Sequence, residues 1–339
     1  MKKFERGQSN PTYRLLAGSG DYVLRRKPPG ALLKSAHAVD REFRVQKALA
    51  GSDVPVAGMH VLCEDETVIG SAFYVMERIA GRNFDDPRLP DIDPATRAGI
   101  YAEMNRVLAA IHLIDLKARG LSDFGPAGNY YRRQIDRWSK QYRASETEVI
   151  PAMDELIAWL DANVPEDDGR RTLVHGDYRI DNLLFAEDGA RCVAVLDWEL
   201  STLGHPFADL AALIMQWQRP PGPEGRGLAG VDRKAFGIPD DQAFIDSYCE
   251  RTGIGGISDF GFLSGLLLLP HGRNPARRQE ARPGRQCFKS GARTAARRHR
   301  AGLCRGWSRG RPVLRADGSR VKGVRALAGP WAKRRSGRA

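Results

Sequence analysis

Two short polar stretches, each next to apolar residues, decide the fold of this chain. The first is Val174-His175-Gly176-Asp177-Tyr178-Arg179-Ile180-Asp181-Asn182-Leu183-Leu184, and the second is Val195-Leu196-Asp197-Trp198-Glu199. Asp177 and Asn182 are five residues apart, and Asp197 follows Asn182 by fifteen. The apolar run 192–196 predicts a strand that ends at Asp197.

A carboxylate, an amide and a second carboxylate in this order suit phosphoryl transfer. One carboxylate must accept the proton of the attacking hydroxyl, while an amide oxygen and another carboxylate hold Mg²⁺ against the nucleotide phosphates. The Asp-to-Asn separation is that of the kinase catalytic loop. The spacing therefore predicts Asp177 as catalytic base and Asn182 with Asp197 as metal ligands. A lone aspartate would instead be read as a solvated or capping residue.

The motifs resemble the aminoglycoside phosphotransferase and choline kinase superfamily, which shares the protein-kinase-like fold. That superfamily has His-Gly-Asp where protein kinases have His-Arg-Asp, and Asp-Trp or Asp-Phe where they have Asp-Phe-Gly. The resemblance covers residues 5–262. Residues 7–13, 22–30 and 198–206 look like one branch, the bacterial phosphotransferases similar to the kinase-like domain fused to some acyl-CoA dehydrogenases.

The resemblance implies an α+β, protein-kinase-like two-lobed fold. Residues 1–80 would form a small antiparallel-sheet N-lobe with one helix, and residues 81–262 a larger, mostly helical C-lobe with the catalytic loop and acceptor site. ATP and Mg²⁺ are the implied cofactors.

The nucleotide contacts that the resemblance implies lie in the N-lobe. Gly7, Ser9 and Asn10 belong to a loop over the ATP phosphates; it has one glycine and departs from the kinase glycine-rich pattern. Glu77 and Arg78, at the lobe junction, would offer backbone groups to adenine.

A basic residue on the second strand would face the phosphates. Strand alternation puts Val23 and Arg25 on one face, so Arg25 would stand where kinases have the strand lysine, with Arg26 as the alternative. Glu42, on the first helix, would be the ion-pair partner of Arg25. The simpler alternatives are that Arg25 is a plain surface residue of its strand and that Glu42 is an ordinary solvated residue of its helix.

Other polar residues near the motifs receive structural interpretations. His175 would hydrogen-bond backbone in its loop, Asp181 would cap or pair locally, and Asp209 would cap or brace the helix that follows. Glu199 is expected behind the metal or substrate rather than in contact with it.

The remaining pattern predicts a hairpin over 12–27 and two strands near 59–63 and 72–77. Short strands are also predicted at 172–174 and 183–185. Apolar residues at helical spacing predict helices over 35–50, 95–116, 152–163, 208–218 and 241–252.

Charge is distributed unevenly along the 339 residues, whose formal net charge is +12. Residues 263–339 hold 21 Lys and Arg against 2 Asp and Glu, whereas residues 1–262 hold 32 and 39. The body lacks a membrane-length apolar run, and its N-terminus lacks the apolar stretch of a secretory signal. Five cysteines without paired spacing favour a reducing cytoplasm.

The basic, Arg/Gly/Ala-rich tail, residues 263–339, does not fit the family and has no helical periodicity. Its composition is typical of a GC-rich gene read in the wrong frame. With one choice of codons, the back-translation of residues 263–278, read one base later, yields an apolar string similar to a helix of this branch. We therefore expect a frameshift near Phe262 and a disordered tail; the rival is a tether for nucleic acid or anionic membrane.

The sequence thus predicts an ATP-dependent kinase that phosphorylates a hydroxyl of a small molecule, with a hydroxyacyl-CoA as the acceptor that the resemblance implies. We expect no specific nucleic-acid or membrane partner. The alternatives are a catalytically impaired kinase-fold remnant and a polyanion-binding protein that acts through its tail.

Overall fold

The computed structural model describes residues 1–4, 10–28, 38–146, 149–257 and 260–269. Gly7, Ser9 and the tail from residue 270 onward lie outside the described residues. The described residues divide into two compact units, the first within Met1–Pro126 and Gly169–Gly255 and the second within Ala127–Asp168 and residues 256–269. All described candidate site residues belong to the first unit.

The first unit begins with a five-stranded antiparallel sheet in the order β1-β2-β3-β5-β4. Its strands are β1 (Lys2–Lys3), β2 (Thr12–Ala17), β3 (Gly20–Arg26), β4 (Met59–Cys63) and β5 (Phe73–Glu77). The predicted hairpin is confirmed, with β2 and β3 pairing from Thr12↔Arg25 to Ala17↔Gly20. The two further predicted strands are confirmed as β4 and β5.

One helix, α1 (Val39–Leu49), accompanies this sheet. A small apolar cluster joins them, in which Val39 meets Ala72 and Tyr74, with Phe43 packed against it. The sheet and helix bring polar residues of both elements to the same place, because apolar positions on each are buried together.

Two antiparallel strand pairs frame the catalytic stretch. The first joins β6 (Thr172–Val174) to β9 (Thr202–Gly204), and the second joins β7 (Leu183–Phe185) to β8 (Cys192–Val195). Two single 3₁₀ turns, Ile180–Asn182 and Trp198–Leu200, lie beside them. The predicted strands are confirmed. Strands β1 and β9 were not predicted, because β1 consists of two exposed lysines and β9, Thr202-Leu203-Gly204, holds a single large apolar residue.

The helices of the first unit are α2 (Pro94–His112), α5 (Phe207–Trp217), α6 (Arg233–Phe236) and α7 (Asp241–Thr252). Asp93 starts α2 by accepting hydrogen bonds from Ala95 N and Thr96 N, each 3.0 Å long. Gly253 ends α7 in the left-handed conformation, at φ 70°. The predicted helices α2, α5 and α7 are confirmed to within a few residues.

The second unit contains α3 (Tyr130–Ala144), α4 (Pro151–Ala162) and α8 (Phe260–Leu268). The expectation of a disordered tail from residue 263 is wrong for residues 263–268, which form the C-terminal part of α8. The leucine run there has a packing partner, since a side chain at Gly265 would lie 3.6 Å from Leu156 and Leu160 of α4. Burial of Phe262, Leu263 and Leu266 supplies the stabilisation that periodicity did not reveal.

Within the described residues, no helix combines the length and the apolar character that a membrane span requires.

Candidate active site

The loop that carries the predicted base is anchored at both ends by strand pairs. It leaves β6 at Val174 and enters β7 at Leu183. Gly176 has φ 85°, and a Cβ there would lie 2.7 Å from the Leu200 carbonyl oxygen. Glycine is therefore required both for the backbone conformation and for the close approach of the two segments.

Asp177 and Asn182 lie side by side in this loop. Asn182 Nδ2 donates to the Asp177 carbonyl oxygen at 2.7 Å and approaches its carboxylate Oδ2 at 3.3 Å. The amide nitrogen is thus used within the loop, which leaves Oδ1 as the group of Asn182 that can meet a cation. The Asp177 side chain is about one-quarter exposed.

Asp197 is brought to the same place by strand pairing. Leu183 lies opposite Val195, and Leu196 N donates to Asn182 O at 2.8 Å. Asp197 follows at once in the left-handed conformation, with φ 62° and ψ 58°. A non-glycine residue in that region is strained, and such strain is concentrated at functional sites. The structure therefore brings the three predicted residues together.

The donor set fits a magnesium ion. Asn182 and Asp197 offer an amide oxygen and a carboxylate, the hard oxygen ligands that Mg²⁺ prefers. Among the described residues there is no cluster of three His, Cys, Asp or Glu side chains that would form an all-protein metal cage. In phosphotransfer sites Mg²⁺ is usually held by one or two protein oxygens together with substrate phosphates.

Arg25, on β3, meets three carboxylates. Its Nε lies 2.9 Å from Glu42 Oε2, and its Nη2 lies 2.7 Å from Asp197 Oδ1 and 3.6 Å from Glu199 Oε2. Burial opposes the charge of Arg25, but these carboxylates outweigh it and raise its pKa above the ordinary value. The alternative candidate, Arg26, turns elsewhere and donates to Ser71 Oγ at 2.8 Å.

Glu42 is buried beneath Arg25 and is held by two further donors. Asn10 Nδ2 donates to Oε1 at 2.6 Å, and the Tyr74 hydroxyl donates to Oε2 at 3.0 Å. Burial raises the pKa of Glu42 to about 7, although Arg25 pulls it down. The contact to Arg25 Nε lacks the alignment of a hydrogen bond, in keeping with an incompletely compensated carboxylate.

A second buried network fixes the backbone of the loop. Asp209 of α5 accepts from His175 N at 2.7 Å and from Gly176 N at 2.8 Å. His112 Nε2 lies 3.3 Å from the same carboxylate, and His112 Nδ1 lies 2.6 Å from the Tyr248 hydroxyl. Burial works against the charge of Asp209, yet the hydrogen bond and charge of His112 keep its pKa below the ordinary value.

His175 makes hydrogen bonds to the backbone, as the sequence predicts. Its Nε2 lies 2.9 Å from Leu196 O, and its Nδ1 lies 3.3 Å from Asp177 N. This geometry assigns the neutral ring with hydrogen on Nε2, because Nδ1 must accept. The imidazole therefore ties the Asp177 turn to the strand end that carries Asp197.

The remaining nucleotide candidates are placed as follows. Asn10 is buried and its amide nitrogen turns to Glu42. Glu77 N donates to Gly58 O at 2.7 Å, so that this N–H is already used within the sheet region. The Arg78 side chain lies 3.2 Å from Asp21.

Sequence reasoning missed the groups that hold these residues. Tyr74, His112 and Tyr248 lie far from the motifs along the chain, and buried positions on apolar strands and helices gave them the appearance of core residues. Arg226 was missed as well, because it lies in a loop without periodicity. A buried polar residue on an otherwise apolar face, such as His112, is the only signal that the sequence offered.

The sequence profile described as the phosphotransferase enzyme family matches residues 1–240. The chain belongs to this family. The match contains the three motif residues together with the sheet that supplies Arg25, so that both the expected family and the α+β, protein-kinase-like fold are confirmed.

Curated relatives confirm the branch of the family that the sequence resembles. Acyl-CoA dehydrogenase family member 10 of Mus musculus is 48% identical over 263 residues, which is 77% of this chain and 24% of that protein. Acyl-CoA dehydrogenase family member 11 of Rattus norvegicus is 46% identical over 259 residues, 75% of this chain and 33% of that protein. The chain thus spans a quarter to a third of the length of these relatives.

A solved structure supports the same placement. A Ralstonia eutropha JMP134 protein, provisionally named an aminoglycoside phosphotransferase, is 46% identical, with a TM-score of 0.77 and coverage of 90% of both chains. The aminoglycoside phosphotransferase APH(4)-Ia, solved as a thermostable mutant with AMP-PNP and hygromycin B, is 17% identical, with a TM-score of 0.58. It covers 91% of this chain and 92% of that chain, and it shows a shared fold.

Proposed function

We propose that this protein is an ATP-dependent small-molecule kinase that transfers the γ-phosphoryl group to a hydroxyl. The observation that carries the proposal is the convergence of Asp177, Asn182 and Asp197 beside Arg25, inside a chain of the phosphotransferase family. This is the set of groups that phosphoryl transfer needs: a proton acceptor, oxygen ligands for the metal and a cation for the phosphates.

In this proposal Asp177 accepts the proton of the acceptor hydroxyl. Its carboxylate is partly exposed, and its Oδ2 is approached by Asn182 Nδ2, which limits rotation of the carboxylate. A base held in one orientation shortens the search for the reactive geometry.

Asn182 and Asp197 would hold Mg²⁺, which supplies charge neutralisation of the nucleotide phosphates. Arg25 Nη2 contacts Oδ1 of Asp197 at 2.7 Å, so that Oδ2 is the oxygen that would meet the cation. The remaining N–H groups of the Arg25 guanidinium would donate to the phosphates, while the contact of its Nε with Glu42 Oε2 holds the guanidinium in place. The predicted phosphate loop, with Gly7, Ser9 and Asn10, and the adenine contacts at Glu77 and Arg78 stay part of this proposal.

We propose a hydroxyacyl-CoA as the acceptor. The support is the relation to proteins named acyl-CoA dehydrogenases, whose names concern acyl-CoA chemistry. The solved relative from Ralstonia eutropha bears an aminoglycoside phosphotransferase name, which makes an aminoglycoside the second acceptor class to test.

The test is phosphate transfer from γ-labelled ATP with Mg²⁺. The acceptors are a panel of 2-, 3- and 4-hydroxyacyl-CoA thioesters, their free hydroxy acids and hygromycin B. Asp177→Asn removes the base while keeping the side-chain size, and we expect its kcat to fall by about 10²–10⁴-fold. AMP-PNP binding measured by calorimetry should change little, because Asp177 is not proposed to hold the nucleotide.

Asp123→Asn is the matched control, since Asp123 is a mostly exposed aspartate that pairs with Arg44 on the surface. Undiminished transfer by Asp177→Asn would contradict the assignment of the base. Transfer to hygromycin B alone would replace the acceptor class, and binding of AMP-PNP without transfer to any acceptor would identify a catalytically impaired remnant.

A further inference from the structure

A chain of alternating charges leads from an irregular loop to the proposed base. Arg226 Nη1 lies 2.8 Å from Asp181 Oδ2, and Arg179 Nη2 lies 3.1 Å from the same oxygen. Arg179 Nε in turn lies 3.2 Å from Asp177 Oδ1. Four side chains from two separate parts of the sequence therefore form one series, Arg226–Asp181–Arg179–Asp177.

The series ends on the reacting carboxylate. Asp177 has Arg179 beside Oδ1 and Asn182 Nδ2 beside Oδ2. The approach of Arg179 Nε is an ion-pair distance without hydrogen-bond alignment, so its direction depends on where the other end of the guanidinium is held. That other end is held by Asp181.

Asp181 is suited to act as the pivot of this series. Its side chain is only 8% exposed, and its backbone carbonyl accepts from Asn83 Nδ2 at 2.9 Å. A carboxylate so far removed from water needs a cationic partner. Both of its guanidinium contacts use Oδ2, so loss of either arginine leaves the other to set the position of the carboxylate.

Arg226 adopts a backbone conformation that is unfavourable for arginine. Its φ is 49°, in the left-handed region that arginine avoids. The loop after α5 enforces this conformation, because Arg226 N donates to Gly222 O at 2.8 Å and Gln216 Nε2 approaches Arg226 O at 3.3 Å. Such strain persists only where surrounding contacts over-determine it, and it is a pointer to function.

We propose that Arg226 is a positioning residue of the phosphotransfer site, which orients the Asp177 carboxylate through Asp181 and Arg179. The proposal rests on the proposed role of Asp177 as base. Arg226 does not touch the reacting atoms; it fixes the guanidinium of Arg179, and Arg179 fixes the oxygen that faces it. Misplacement of a base by about 1 Å can lower a rate by about 100-fold, which is ample for a measurable effect.

The experiment compares Arg226→Gln, Arg226→Lys and Asp181→Asn in the full-length chain. The readouts are kcat and KM with Mg·ATP, with 3-hydroxybutyryl-CoA as acceptor and with release of inorganic phosphate to water. We expect kcat of Arg226→Gln to fall about 10- to 100-fold, while KM for ATP stays within about twofold of the wild-type value, since an orientation effect acts on the transition state.

Two comparisons separate positioning from a simple structural role. Arg226→Lys should recover part of kcat, because lysine keeps the charge but lacks the planar fork. The double variant Arg226→Gln, Asp181→Asn should lose no more than the more affected single variant, because both act through one series. Arg44→Gln is the control, an arginine of nearly equal exposure that pairs with Asp123 on the surface.

Each outcome decides the proposal. An unchanged kcat in Arg226→Gln overturns the positioning role. So does a fall in kcat that matches the loss of folded protein measured by thermal unfolding and is equally large in Arg226→Lys. Additive losses in the double variant overturn the series as the route. A wild-type protein that transfers phosphate neither to any acceptor of the panel above nor to water overturns the role of Asp177, and the positioning role with it.

Discussion

Replacing Asp209 with asparagine removes the support beneath the catalytic loop. Asp209 Oδ1 accepts from Gly176 N, and Oδ2 accepts from His175 N and lies near His112 Nε2. Asparagine has one oxygen, so that one of the two backbone N–H groups must face an NH₂ group. The contact with His175 N is buried and that with Gly176 N is partly buried, and the Asp209 side chain is only 1% exposed, so that little water can replace the lost acceptor.

The size of the effect follows from these contacts. An orphaned buried N–H costs about 1–3 kcal/mol, and hydrogen bonds to a charged acceptor contribute somewhat more than neutral ones. We expect Asp209→Asn to lower the free energy of unfolding by about 3 kcal/mol, or the Tm by roughly 4–6 °C for a protein of this size. Urea unfolding followed by circular dichroism gives the free energy, and calorimetry gives the Tm.

The pH dependence supplies a second test of the same residue. The pKa of Asp209 is held below its ordinary 3.8, so its contribution to stability is complete above that pH and is lost as the pH falls through the lower native value. The difference between wild type and Asp209→Asn should therefore shrink as the pH falls below about 4. Asp123→Asn, at an exposed carboxylate, should change the Tm by less than about 2 °C. Equal stability of wild type and Asp209→Asn at pH 7 would refute the reasoning.

Three other predictions concern separate features. Burial raises the pKa of Glu42 from 4.5 to about 7 and favours its protonated form, so that without metal the Tm of the wild type should fall as the pH rises from about 4.5 to 7. Glu42→Gln should lack this fall, and parallel curves of Tm against pH for the two proteins would contradict the prediction. Gly176→Ala should cost about 2 kcal/mol or more in urea unfolding through its φ of 85° and its contact with the Leu200 carbonyl, whereas Gly18→Ala, with nothing within 4 Å, should be nearly neutral. The base sequence across the codon of Phe262 should resume the family pattern one base later, and uninterrupted, unlike codons would end the frameshift hypothesis.

Much of the fold followed from pattern. Strands β2 to β5 and helices α2, α4, α5 and α7 lie within a few residues of their predicted positions, because each repeats apolar residues at the period of its type. Helix α8 was missed, because a continuous run such as Leu266 to Leu268 has no period to detect and is helical here through the burial of Phe262, Leu263 and Leu266. Helix α3, with only Tyr131, Ile135 and Tyr142 buried among charged residues, gave too faint a signal.

The sequence by itself determined which residues meet at the proposed metal position. Asp177 and Asn182 share one short loop that leads into β7, and Asp197 follows β8, the strand that pairs with β7. Local spacing and one strand register therefore suffice to join them. Only the tertiary structure decided how they are held. Arg25, Glu42, Asp209 and Arg226 come from four distant segments, and their contacts depend on how buried surfaces pack, which no local pattern records.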